Sequence, residues 1–329
     1  MTFLPPLPRV PLAHLPTPVE PLVRLSDQLG LTLLVKRDDQ TGLAFGGNKT
    51  RKLELLVAQA QAEGATRLLT TGAVQSNHCR QTAAAAARLG LACTLVLAGG
   101  PEPASGNLLL DRLLGAEVVW TTRERRNADL RTAFEAAQAA GERPFLIPYG
   151  GSSPTGAAAY AYALEELLAQ GVRPDFIVLA SSSGGTQAGL VAGARLLGYT
   201  GRILGISVDE PAAVLRQRVA DLASEVCTLL GTPQPITADE VWVEDTYAAP
   251  GYGVLTAHEA EAIHTFAHLE GLLLDPVYTG RAAGGLLDLA RRGVFPPGST
   301  VLFWHTGGTP GLFATRYREG LLDLPSSSL

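Results

Sequence analysis

Asp175-Phe-Ile-Val-Leu-Ala-Ser-Ser-Ser-Gly-Gly-Thr186 joins a short apolar run to a turn of small residues. Phe176 to Ala180 carries no charge, as expected of a strand buried on both faces. From Thr186 to Leu197 the spacing becomes helical. A strand, a small-residue turn and a helix start form the unit from which α/β folds are assembled. The first N–H groups of such a helix have no partner, and the helix dipole favours negative charge there. Gly184 and Gly185 allow a ligand to approach the backbone closely. Ser182, Ser183 and Thr186 add hydroxyl donors. The segment serves as a cup for a phosphate group or, equally, as an ordinary turn capped by Ser and Thr. It is not a dinucleotide fingerprint, because GxGxxG is absent and no acidic residue is placed for a ribose.

The same alternation extends in both directions. Upstream, strands are expected at Leu31–Lys36, Arg67–Thr71, Leu91–Ala98 and Glu117–Thr121. They interleave with helices at Lys49–Glu63, Asn77–Leu89, Asn107–Leu114 and Asn127–Ala140, the last capped by Asn127. Downstream, strands are expected at Arg202–Val208 and Thr300–Trp304. Helices are expected at Gly156–Gln170, Pro211–Leu230, His258–Leu269 and Gly280–Arg292. Pro144 to Thr155 is dense in Gly, Pro and Ser and suits a crossover between domains. The pattern predicts an α/β protein of two domains, each an open, mostly parallel twisted sheet flanked by helices. Such sheets bind ligands beyond the carboxyl ends of their strands.

Bulk properties narrow the function. The chain has 329 residues, with 26 basic against 31 acidic side chains, a formal net charge of −5. This argues against a nucleic-acid partner, which needs a basic stripe. No apolar stretch approaches membrane-span length, and the proline-rich start, MTFLPPLPRVPLAHLPTP, does not read as a signal peptide. Cys79, Cys93 and Cys227 are odd in number and form no CxxC. They predict neither a disulfide framework nor a metal site, and a cytoplasmic setting. Pro325 to Leu329 reads as a frayed tail.

Gly46-Gly-Asn-Lys-Thr-Arg-Lys52 places three cations within four residues at a helix start. The dipole disfavours cations there, so either the turn is solvated or the charges have a use. A P-loop requires GxxxxGK[ST], and Asn48 interrupts that match in GLAFGGNKT (42–50). Leu272-Leu-Leu-Asp275 mimics the metal-binding acid of such enzymes, but apolar runs ending in an acid are common. A lysine can instead form a Schiff base with a carbonyl. Pyridoxal 5′-phosphate brings both that carbonyl and a phosphate for the Ser/Gly cup.

Lys36-Arg-Asp-Asp39, GGNKTRKLE (46–54), QSNHCRQTAAAAARLG (75–90), SSSGGTQAGL (181–190), DPVYTGRAAGGL (275–286) and HTGG (305–308) occur in an order that resembles fold type II pyridoxal-phosphate enzymes, the tryptophan synthase β-like group. The resemblance is strongest to the branch of D-cysteine desulfhydrases and 1-aminocyclopropane-1-carboxylate deaminases, and runs from Pro16 to the HTGG segment. It implies that Lys49 is the Schiff-base lysine and that Lys52 contacts the phosphate held by Ser182, Ser183, Gly184, Gly185 and Thr186. It implies that Asn77 bonds the cofactor's phenolic oxygen and that Thr306 lies near the pyridine nitrogen. Ser76, Asn77, His78, Tyr252, Tyr278 and Thr279 would meet the substrate, with Lys49, Tyr278 and Ser76 as catalytic groups. Residues 1–50 plus 161–329 would form the large cofactor-binding domain and 51–160 the small one. A homodimer acting on a small amino acid is also implied.

Within that branch, Thr279 and His78 resemble the desulfhydrases, where the deaminases carry Glu and Gln. The resemblance therefore implies α,β-elimination of D-cysteine, with ring-opening deamination as the alternative. Two departures touch the surroundings of the site: Arg281 stands where lysine is common, and Ser182 where the desulfhydrases have glycine. His264 and His268 sit one helical turn apart but lack the glutamate of a zinc protease, so they are expected to be structural.

Overall fold

The computed structural model describes residues 4–322; the Pro325–Leu329 tail lies outside the described residues. Two sheets carry the chain. The larger orders its strands β1 (Val19–Pro21), β2 (Thr32–Arg37), β10 (Thr300–His305), β7 (Phe176–Ser181), β8 (Arg202–Ser207) and β9 (Trp242–Glu244). Only β1 runs antiparallel. The smaller orders β5 (Glu117–Thr121), β4 (Ala92–Ala98), β3 (Arg67–Ala73) and β6 (Pro144–Leu146), all parallel.

Helices cover both faces of the large sheet. On one side, α1 (Val23–Leu29), α9 (Ala257–Glu270) and α10 (Thr279–Arg291) pack Leu25, Phe266 and Leu286 against Val35, Val178 and Phe303. On the other, α6 (Pro154–Ala169) and α7 (Gly185–Leu197) bring Leu164, Leu167 and Leu190 onto Ile177, Leu179 and Trp304. Alternate residues of β7 thus face opposite cores, and Ile177, Val178 and Leu179 are each 0% exposed. Full burial of each such side chain contributes about 1.5–3 kcal/mol. A further helix, α8 (Ala212–Leu229), packs on α7 and α6.

On the small sheet, α2 (Asn48–Ala62), α3 (Asn77–Leu89) and α4 (Gly106–Leu113) enclose one core. The alanine run in α3 is buried from Ala83 to Ala86, where short side chains let the helix lie close to the strands. The remaining helix, α5 (Arg126–Ala139), contacts β3, β4 and β6.

Several expectations are corrected. Asn127 does not cap α5. The helix begins one residue earlier, and Thr122 Oγ1 accepts from the Arg125 N–H at 3.3 Å to close the preceding turn. The Pro144–Thr155 crossover contains strand β6, paired with β3. The short elements β1, α1 and β9 carry too few residues to show a period. Leu272–Asp275 is not a strand: Asp275 accepts from the N–H groups of Val277, Tyr278 and Thr279 and so shapes the turn entering α10. No helix is long and apolar enough to cross a membrane among the described residues.

Candidate active site

A cleft between the two sheets gathers the segments that follow β3, β6, β7 and β10 and the starts of α2, α3 and α10. Asn48, Lys49, Ser76, Asn77, His78, Tyr149, Gly150, Ser182, Ser183, Gly184, Thr186, Tyr278 and Thr306 line it. This is the position at which parallel sheets hold ligands.

The Lys49 turn is set by Gly46 and Gly47, both with left-handed φ (63° and 126°). A Cβ at Gly46 would stand 2.1 Å from the Asp39 carbonyl oxygen, and one at Gly47 2.3 Å from Gln81 Nε2. No other residue fits this backbone. The Asn48 N–H donates to the Thr306 carbonyl at 3.0 Å, and Asn48 Nδ2 donates to Thr186 Oγ1 at 3.0 Å. Asn48, which breaks the P-loop pattern, therefore ties the lysine turn to both the α7 cup and the HTGG segment. The Lys49 side chain opens into the cleft but sits deep, and burial alone pulls its pKa down to about 8.

Lys52, one turn along α2, is fully buried. Its ammonium donates to the Gly150 carbonyl at 3.2 Å and to Ser152 Oγ at 3.4 Å. Among the described residues no carboxylate offsets its burial, which together with the Lys49 charge pushes its pKa well down. A Cβ at Gly185 would lie 2.9 Å from this amine, so Lys52 stands directly against the start of α7. Gly184 caps that helix with φ 82°. A buried ammonium, a second lysine and the open N-terminus of a helix converge with no anion of their own. That is the surrounding a phosphate ester requires, and pyridoxal 5′-phosphate fits it.

The other expected residues divide into groups. Ser76 is the N-cap of α3, its Oγ accepting from the Cys79 N–H at 3.2 Å, which leaves its own proton for the cleft. Asn77 Oδ1 accepts from Asn107 Nδ2 at 3.0 Å, so the Asn77 amide presents its NH2 group to the cleft. His78 Nε2 meets Thr70 Oγ1 at 2.9 Å. Burial and the nearby lysines hold the ring neutral. Tyr278 and Tyr252 join hydroxyls at 2.6 Å, and burial pushes both phenols well above their ordinary pKa.

Three expectations need correcting. Ser182 lines the cleft, but its hydroxyl donates to Asp209 Oδ1 at 2.9 Å and not to the cup. Thr279 is fully buried and does not line the cleft. Its hydroxyl lies between the N–H and Oδ1 of Asp275, at 2.7 and 2.8 Å. Tyr252 stands behind Tyr278 and reaches the cleft only through that phenol.

The structure also adds residues. Ser152 Oγ contacts Ser183 Oγ at 2.8 Å and accepts from the Gly185 N–H at 3.2 Å; only the Gly/Ser density of 144–155 hinted at it. Asn107, fully buried, bonds Gln75, Arg80 and Asn77 together, and no sequence signal marked it. Arg281 pairs with Glu259 at 2.6 Å and donates to the Gly251 and Val254 carbonyls at 3.1 Å each, pinning the loop that carries Tyr252. His264 and His268 stack edge to face. No cluster of three or more His, Cys, Asp or Glu side chains occurs among the described residues.

Comparison with known proteins agrees with this geometry. The family described as pyridoxal-phosphate dependent enzyme matches residues 10–307. D-cysteine desulfhydrase of Yersinia pestis (strain Pestoides F) is 43% identical over 320 residues, covering 93% of this chain and 96% of that protein. A protein of Pyrococcus abyssi (strain GE5 / Orsay), provisionally named 1-aminocyclopropane-1-carboxylate deaminase, is 40% identical over 324 residues, with 96% of each chain covered. A crystal structure of an ACC deaminase homologue superposes with a TM-score of 0.89 at 40% identity, again over 96% of each chain. With its lysine-bearing turn facing a serine-glycine cup, this chain belongs to the pyridoxal-phosphate dependent enzyme family.

Proposed function

We propose that this chain eliminates the β-substituent of a small amino acid, taking D-cysteine and water to pyruvate, hydrogen sulfide and ammonia. The observation that carries this reading is the Lys49 amine, brought to about 8 by burial and open to the cleft opposite the α7 cup. The desulfhydrase relative supports the choice of substrate.

Lys49, Lys52, Asn77, Ser183, Gly184, Gly185, Thr186 and Thr306 would hold pyridoxal 5′-phosphate, which supplies an electron sink for negative charge at Cα. Lys49 Nζ, neutral for a substantial fraction of the time, takes the Cα proton as general base. Ser76 Oγ and the free N–H groups at the start of α3 bind the substrate carboxylate. Tyr278, still a phenol and coupled to Tyr252, holds a proton for the sulfur as the Cβ–S bond breaks. Neutral His78 adds no competing charge. Thr306 contributes a hydroxyl where an acid would have carried charge, which favours elimination over transamination.

The deaminase-like relatives support a second reading, ring opening of 1-aminocyclopropane-1-carboxylate. Thr279 speaks against it. A glutamate there would set a second carboxylate against Asp275, whose Oδ1 and N–H both engage the Thr279 hydroxyl. The reading includes a large domain of residues 1–50 and 161–329 and a small domain of 51–160. Support comes from the small sheet, which draws its strands only from 67–146. It also includes a homodimer, favoured by the resemblance. A cytoplasmic setting is favoured by three free, buried cysteines.

The test is a panel of D-cysteine, L-cysteine, β-chloro-D-alanine and 1-aminocyclopropane-1-carboxylate given to the purified yellow protein. Sulfide and pyruvate from D-cysteine in equal amounts are expected. Oxobutanoate from the cyclopropane with no pyruvate from D-cysteine would overturn the assignment.

A further inference from the structure

A second cavity lies behind the cleft, beyond the carboxyl ends of β3, β4, β5 and β8, and Tyr149 borders both. Its polar wall includes Thr121, Arg123, Arg126, Tyr149, Asp209 and Tyr252. The Arg126 guanidinium lies over the Tyr149 ring, 4.4 Å from the centroid. Arg126 Nε is buried and has no hydrogen-bond partner. Among the described residues neither Arg123 nor Arg126 has a carboxylate partner, whereas the intervening Arg125 pairs with Asp129 at 3.0 Å. Asp209 is the acid of this wall. Its Oδ1 accepts the Ser182 hydroxyl, and burial pushes its pKa up. Two arginines against one acid leave the chamber positive.

We propose that this cavity receives the far end of an S-substituted D-cysteine whose substituent ends in a carboxylate, with Arg126 as its partner. The proposal rests on the elimination reading and names a wider substrate class for the same site. Tyr149 borders both spaces, and the Arg126 guanidinium lies on its ring at 4.4 Å, so a substituent reaching from the sulfur across Tyr149 would meet Arg126. Arg126 lines the cavity with no carboxylate partner among the described residues, and a guanidinium offers the fork geometry that carboxylates bind. D-cysteine itself, ending at the thiol, leaves the cavity untouched. The chemistry needs no added reagent. Cα loses its proton, the Cβ–S bond breaks with its electron pair on sulfur, and the thiolate takes a proton. Water then releases pyruvate and ammonia, so that R–S–CH2–CH(NH2)–COOH and H2O give R–SH, pyruvate and NH3.

The experiment compares S-carboxymethyl-D-cysteine with its neutral isostere S-carbamoylmethyl-D-cysteine on the holoenzyme, with D-cysteine as reference. The acid should exceed the amide in kcat/KM by about tenfold, the scale of one charge-assisted hydrogen bond. Arg126→Gln should bring the ratio to about one and leave D-cysteine turnover unchanged. By calorimetry, (methylthio)acetate should bind the native holoenzyme about tenfold more tightly than the Arg126→Gln holoenzyme. An acid-to-amide ratio near one in the native enzyme, or one unmoved by Arg126→Gln, overturns the proposal. If D-cysteine is not consumed, the elimination reading fails separately, and equal affinity of the two proteins for (methylthio)acetate overturns the subsite.

Discussion

Arg51 shares one turn of α2 with Lys49 and Lys52 yet meets the opposite surroundings. Its guanidinium is enclosed by acids: Nε and Nη2 reach Asp38 at 2.9–3.1 Å, while Nη1 and Nη2 reach Glu166 at 2.9 Å. The acids are themselves saturated. Asp38 also accepts from Thr17 Oγ1, Tyr160 OH and Trp304 Nε1, and Glu166 accepts from Lys36 at 2.6 Å. Among the described residues neither lysine has a carboxylate partner. A cation that serves the fold is neutralised by the chain's own acids, because a buried unpaired charge is costly. A cation that serves a ligand is left unneutralised, and its pKa falls until the ligand arrives. The basic turn that looked anomalous at a helix start is therefore two devices back to back.

The largest effect expected on the ligand side comes from Lys49→Met. The kcat/KM should fall by at least about 10³-fold, borohydride should no longer fix the cofactor at this position, and the fold should persist by circular dichroism. A variant that keeps most of its turnover would break the comparison. On the structural side, Arg51→Met should cost about 3–5 kcal/mol in denaturant unfolding by stranding Asp38 and Glu166. A loss no greater than that of Lys52→Met would erase the distinction. Lys52→Met should lower cofactor affinity by about 1.5–3 kcal/mol, the worth of a hydrogen bond to a charged group, measured by equilibrium dialysis, and should leave the apoprotein no less stable.

Smaller effects sharpen the picture. Lys49 in the cofactor-free protein is the neutral nucleophile above about 8 and the ammonium below it. Its rate with an aldehyde probe should rise about tenfold per pH unit and level off near pH 8, whereas an ordinary lysine climbs on to about 10.4. The corresponding stability effect has a definite sign. Between about 8 and 10.4 the unfolded lysine holds a proton that the folded one has lost, so the Lys49 contribution rises with pH across that window. Asn107→Ser should free the Asn77 amide to turn over. The result would be about a tenfold loss in kcat/KM, the scale of one hydrogen bond, and a displaced visible absorption maximum, with a lowered melting temperature because Arg80 and the Gln75 carbonyl lose their buried partner.

Legibility varied with the kind of signal. The apolar runs of β4, β7 and β8 and the helices between them stood out because burial on both faces imposes long, regular patterns. The glycines at 46, 47, 184 and 185 stood out because few residues survive at a left-handed turn or in a ligand cradle, and the cluster at 49–52 because a helix start disfavours cations. Asn107 and Ser152 did not, because each acts through one hydrogen bond made across the fold. Thr279 and Ser182 were placed at the site by their neighbours in sequence, but their hydroxyls found nearer partners in Asp275 and Asp209.

The linear sequence thus determined the α/β alternation and the two glycine-rich turns. These depend on local backbone freedom and on hydrophobic period, both of which are written along the chain. Only the folded structure decided which of the three clustered cations would be neutralised and which hydroxyls face the cleft. Those outcomes depend on partners far away in sequence, such as Glu166 for Arg51 and Asn107 for Asn77, and no local pattern records such pairings.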